Sequence, residues 1–119
     1  MATITSNNIQ LHYWQVGSGP DIVLIHGLTG NLASWHFTVV PPLREHYRLT
    51  TYDLRGHGRS EMPPDGYTTR DMAADLLGLM DGLGIERANL LGHSLGADIA
   101  LHFACCTPNE SIGSFAIEA

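Results

Sequence analysis

Apolar residues recur along this chain with different periods, and each period predicts a different kind of element. Near the start, Ile9, Leu11 and Tyr13 alternate with Gln10, His12 and Trp14. That alternation predicts a half-buried strand over Ile9–Val16 at the edge of a sheet, paired as a hairpin with Ala2–Thr5. Ser6-Asn7-Asn8 suits the turn between them, because asparagine tolerates the left-handed backbone that tight hairpins demand. Gly17-Ser18-Gly19-Pro20 breaks the pattern, and Ile22-Val23-Leu24-Ile25 follows without alternation. A continuous apolar run of this length fits a strand covered on both faces, as in a parallel sheet.

Farther on, Ser34–Val40 reads as helical, with Pro41-Pro42 interrupting it, and Arg48–Tyr52 as a strand that closes on Asp53. Gly56 and Gly58 mark a loop, and a polar, proline-bearing stretch runs from Ser60 to Tyr67. Thr68-Thr69-Arg70-Asp71 has the form of a capping box, in which Thr68 caps the helix and Asp71 returns the bond. Met72, Leu76, Met80 and Leu83, with Ala73 and Leu77, make one apolar stripe at helical spacing, ended by Gly82 and Gly84. Asn89-Leu90-Leu91 reads as a short buried strand. Leu95–Cys106 is apolar or small almost throughout, which predicts a helix buried all round until Pro108. Ile112–Ile117 is a last strand. Strands alternating with helices imply an α/β fold, a mostly parallel sheet with helices on both faces.

Composition narrows the function classes. The 119 residues are 44% apolar and 15% charged with 13 glycines, as in one compact domain with many tight turns. The net charge is −6, and all six basic residues are arginines spread singly along the chain, so there is no electrostatic footprint for nucleic acid. No apolar run approaches the ~18 to 20 residues that span a bilayer, and residues 1–8 lack a signal-peptide pattern, so the expectation is a cytoplasmic protein without membrane contact. Cys105 and Cys106 are adjacent in an apolar stretch, which suits neither a disulfide nor a metal site and predicts core or half-buried thiols. No metal and no cofactor is expected.

The chemistry-bearing residues fall just beyond strand C-terminal ends, where open sheets place ligands. Gly92-His93-Ser94-Leu95-Gly96 is a G-x-S-x-G pentapeptide between a predicted strand and a predicted helix, so Ser94 would sit at a sharp elbow. Gly92 and Gly96, without Cβ atoms, let such a turn form and let strand and helix approach. The elbow puts Ser94 at a helix N-terminus, where the Leu95 amide is a natural donor to a developing oxyanion. His26-Gly27-Leu28-Thr29-Gly30, after the apolar strand, is placed to supply a second donor through the Leu28 amide.

These motifs closely resemble the α/β-hydrolase family. The resemblance rests on His26-Gly27-Leu28, Ser34-Trp35, the Asp53–Ser60 loop and Gly92–Gly96, in order along the whole chain. It implies that Ser94 is a serine nucleophile and that the Leu28 and Leu95 amides form the oxyanion hole. It also implies that the loop bearing Asp53, Arg55 and His57 is architectural and that His26 and His93 order loops. Residues 1–119 then read as the N-terminal portion of a single domain, truncated after about the sixth strand.

The family orders its triad as serine, acid, histidine, and after Ser94 this chain offers only His102, inside the predicted buried helix. Glu118, at the end of the last strand, is a candidate acid. The base would come from outside the sequence, from a C-terminal half of the same domain in cis or from a second chain. The implied activity is carboxylesterase-type hydrolysis of a small-molecule acyl substrate. The same first half would serve a carbon–carbon bond hydrolase, thioesterase, lactonase, acyltransferase or perhydrolase. A serine in place of aspartate argues against haloalkane dehalogenase and epoxide hydrolase chemistry. The alternative from another class is a non-catalytic binding or receptor protein on this fold, or an inactive half-domain that needs a partner.

Overall fold

Why the third strand is apolar from Ile22 to Ile25 is settled by the layers around it. A computed structural model describes residues 2–27, 30, 31, 33–36, 39–106 and 112–118, with Ser34, Cys106 and 112–118 described by backbone alone. The described strands are β1 (Ala2–Ser6), β2 (Ile9–Gly17), β3 (Asp21–Ile25), β4 (Arg48–Tyr52), β5 (Ala88–His93) and β6 (Ile112–Glu118). They form one six-stranded sheet in the order β1-β2-β4-β3-β5-β6. β4, β3, β5 and β6 are mutually parallel, while β1 and β2 are antiparallel to their neighbours. Val23 and Ile25 face one core with Leu90, Ile99 and Phe103, and Leu24 faces another with Trp35, Val40 and Leu49.

The first core lies under α3 (Thr69–Gly82) and α4 (Leu95–Cys106), the second under two short helices, α1 (Ala33–His36) and α2 (Val40–Leu43). Pro41 and Pro42 do not interrupt a helix. They are the second and third residues of α2, within its first turn, where a missing N–H costs nothing because no intrahelical acceptor exists there. The hairpin turn has Asn7 and Asn8 at φ +50° and +66°. β2 is an interior strand, not an edge strand, because it pairs with β1 on one side and β4 on the other.

At the start of α3 the Thr68 hydroxyl accepts from the Asp71 amide at 3.1 Å and donates to the Asp71 carboxylate at 2.7 Å. Its C-terminus closes with Ile85 N–H on the Met80 carbonyl and Gly84 N–H on that of Asp81, which is a Schellman motif. Leu77 departs from the expected stripe and is 37% exposed. The buried face holds the expected Met72, Ala73, Leu76 and Met80 and extends on the side away from Leu77, to Asp75 and Leu79.

α4 is not buried all round. Asp98, Leu101 and Cys105 share an exposed side, since no described element packs over it, and Cys105 is accordingly not a core thiol. Cys106 lies outside the described side chains. No helix among the described residues is long and apolar enough to cross a membrane.

Candidate active site

Because β3, β4 and β5 run parallel, His26, Asp53 and Ser94 all emerge from the same end of the sheet. Ser94 is the single residue between β5 and α4 and stands at φ +55°. A left-handed conformation costs a residue with a Cβ about 1 kcal/mol or more, so the turn is held by its surroundings. A methyl group on Gly92 would collide with the Gly96 carbonyl, and one on Gly96 would stand 2.7 Å from the His26 carbonyl oxygen. Two glycines thus let α4 begin directly against the ends of β5 and β3. The Ser94 carbonyl accepts from the Ala97 amide at 2.9 Å, which closes the first turn of α4.

The result is a serine hydroxyl on an exposed residue at a helix N-terminus. The Leu95 amide, as the first of α4, has no acceptor within the helix. Gly27 backs onto this elbow, with its Cβ position 3.1 Å from Ser94 Cβ. Leu28, the other expected oxyanion donor, lies outside the described residues. Glu118 ends β6 and pairs through its backbone with His93, one residue before Ser94. His102 is half-buried on α4, two turns beyond the elbow.

His26 is buried and both its ring nitrogens are engaged. The Leu54 amide donates to Nε2 at 3.0 Å, and Nδ1 lies 2.7 Å from the Gly27 carbonyl oxygen. Burial lowers its pKa, the bond to Gly27 opposes that shift, His57 adds to it and Asp53 opposes it. The His57 ring is tilted against it at 5.2 Å between centroids, and its own Nδ1 donates to the Arg55 carbonyl at 2.9 Å.

The loop after β4 is tied down by buried polar bonds. Asp53 accepts from His12 Nδ1 at 2.9 Å and from the Arg59 amide at 3.0 Å. Ser60 donates to the Asp53 carbonyl and accepts from the His12 amide at 2.8 Å. Arg55 forms two 2.7 Å bonds with the Asp75 carboxylate inside α3, and the pair is 5% and 2% exposed. Asn7 in the hairpin turn donates to the same carboxylate at 3.0 Å. Hydrogen bonding to Asp75 outweighs burial and raises the Arg55 pKa, so the guanidinium stays charged.

Residues 20–117 match the profile of the family described as alpha/beta hydrolase fold. The chain belongs to the α/β-hydrolase fold family. Epoxide hydrolase 3 of Siraitia grosvenorii is 38% identical over 110 residues, which is 91% of this chain and 35% of that protein. The soluble epoxide hydrolase of a Corynebacterium species is 38% identical over 98 residues, 82% of this chain and 34% of that one. The crystal structure of the enol-lactonase from Burkholderia xenovorans LB400 superposes with a TM-score of 0.90 at 36% identity, over 96% of this chain and 45% of that one. This α/β hydrolase chain therefore spans about a third of the length of the curated relatives it matches.

Two partners that anchor the loop after β4 belong to no motif of the sequence: His12 lies in the alternating pattern of β2, and Asp75 lies inside α3. Asp75 stands three residues after Met72 and four before Leu79, so helical spacing admits a carboxylate beside the buried face, and the bonds from Arg55 hold it there. Among the described residues no three His, Cys, Asp or Glu side chains are grouped to hold a metal ion.

Proposed function

We propose that this chain supplies the nucleophile half of a hydrolase that cleaves small or medium carboxylic esters through an acyl-enzyme on Ser94. The observation that carries the proposal is the φ of +55° at Ser94 between two glycines that admit no side chain. Strain of this kind persists where the surroundings impose it and gathers at functional sites. A histidine from a C-terminal half of the domain, in cis or from a second chain, takes the proton from Ser94 Oγ as Oγ attacks the ester carbonyl. The tetrahedral oxyanion is held by the Leu28 and Leu95 amides, with Glu118 a candidate for the acid that orients the histidine. The alcohol leaves with the proton from the histidine. Water, deprotonated by the same histidine, then releases the acid and restores Ser94.

The curated relatives above are epoxide hydrolases, yet a serine favours acyl transfer. Attack of a serine oxygen on an epoxide carbon gives an ether, which has no carbonyl for water to attack, so the enzyme would not turn over. Attack on an ester or lactone gives an acyl ester that water can cleave. The likeness to an enol-lactonase makes lactones the second substrate class to assay. The test is steady-state hydrolysis of a series of acyl esters and lactones by the protein carrying this sequence with its completing half. Turnover that Ser94→Ala lowers by about 10³-fold or more supports the reading, and turnover that survives the substitution overturns it.

A further inference from the structure

At the C-terminal end of α3 the charges are arranged against the helix. Its last turn carries Asp81 and no basic residue, although this is the negative end of the helix dipole, where a cation is the favoured neighbour. Glu86, just past the Schellman turn, adds a second exposed carboxylate. Among the described residues neither side chain forms an ion pair or a hydrogen bond. Arg87, the nearest cation along the chain, lines a different crevice with Pro20, Asp21 and Asn89. The two carboxylates edge a crevice of about 240 Å³ that is otherwise walled by Leu77, Met80, Gly84 and Ile85. Met80 and Ile85 are buried, and Leu77 is the exposed leucine that the core of α3 leaves out.

Apolar walls beside two carboxylates select among cations. A metal ion fits poorly, because hard cations take six or more oxygen ligands and no three His, Cys, Asp or Glu side chains are grouped for one among the described residues. A small ammonium ion would leave Leu77 in water. An arginine or lysine side chain meets both demands, since its methylene stem covers apolar surface while its head stays charged. We propose that this crevice is a docking site for one arginine or lysine side chain of a protein partner. The stem lies along Leu77, Met80 and Ile85, and the head lies between Asp81, Glu86 and the end of α3. The site is separate from the nucleophile, because β5 runs the roughly 20 Å from this end of the sheet to Ser94. It is also remote from the open edge at β6. α3 abuts β1, with Ser6 donating to the Asp75 carbonyl and Ile4 against Gly82, and β1 is the opposite edge of the sheet. A strand added beyond β6 therefore leaves the crevice uncovered, and the docking role does not depend on the acyl-hydrolase reading.

The probe is N-acetyl-arginine methylamide, with N-acetyl-citrulline methylamide as its neutral isostere, each titrated into the completed protein. Amide NMR shifts of Gly84, Ile85 and Glu86 read the binding without any turnover. The arginine compound is expected to bind saturably with a Kd on the order of 1 mM, and the citrulline compound at least about tenfold more weakly. Asp81→Asn combined with Glu86→Gln should abolish the shifts. Equal binding of the two compounds, no saturation by about 50 mM, or binding that survives the double substitution overturns the proposal. The double variant should also unfold at no lower urea concentration than the parent, because it removes negative charge from the negative end of α3. A lower midpoint would show that the carboxylates serve the fold, and would overturn the docking role. Self-association of the parent that the double substitution abolishes would make the occupant an arginine of a second copy, and would overturn the choice of a different protein.

Discussion

Gly27 and Ser94 are packed so closely that a methyl group on Gly27 would stand 3.1 Å from Ser94 Cβ and 3.1 Å from His93 Nδ1. No room exists there for a side chain without moving the elbow. Gly27→Ala should therefore displace Ser94 by a fraction of an ångström and lower the rate by about 10-fold. Ester hydrolysis set beside thermal unfolding checks this: the rate should fall while the unfolding midpoint stays near that of the parent.

The two bidentate Arg–Asp pairs should behave differently when broken. Arg55–Asp75 is buried, and Asp75→Ala leaves a desolvated guanidinium without its counter-charge, which costs about 3–5 kcal/mol. Arg48–Asp21 is just as short, with bonds of 2.6 and 2.9 Å, but its arginine side chain is 38% exposed. Asp21→Ala should cost less than about 1 kcal/mol. Urea unfolding of the two variants gives the comparison.

His26 gives stability a pH dependence of fixed sign. Burial holds its folded pKa below the ordinary 6.5. As pH falls through 6.5 the unfolded chain takes up the proton first, so stability is full above that value and is lost progressively as pH drops toward the folded pKa. His36, also lowered by burial, adds in the same direction. Urea unfolding at about pH 7.5 and about pH 5.5 should show lower stability in acid. His26→Asn should remove part of the difference, and an undiminished difference would contradict the assignment to His26.

Thr68 caps α3 from an exposed position, through bonds to the Asp71 amide and carboxylate. Thr68→Ala should lower stability by about 1 kcal/mol without altering activity, as denaturant unfolding would register.

Period and motif together made most of the fold legible. The unbroken Ile22–Ile25 run implied two covered faces, and the structure places separate cores on them. What local pattern cannot carry is pairing across distance. Alternation in β2 says that one face is buried, but not that the strand has neighbours on both sides, nor that His12 is buried against Asp53, 41 residues away. Likewise the stripe on α3 gave the helix but not its rotation, because apolar spacing admits both Leu77 and Asp75, and Arg55 decides for Asp75. At the site, Gly92 and Gly96 implied a close strand–helix approach from sequence; the Leu54–His26–Gly27 link depends on a ring orientation that no motif encodes.

In the proposed acyl-hydrolase reading Ser94 is a nucleophile whose activating histidine comes from a C-terminal half of the domain or from a second chain. Mass mapping after exposure of the completed protein to a fluorophosphonate tests it most directly. One phosphonyl adduct is expected, on the peptide carrying Ser94, and no adduct in Ser94→Ala. An unlabelled Ser94, or an adduct on another residue, would contradict it.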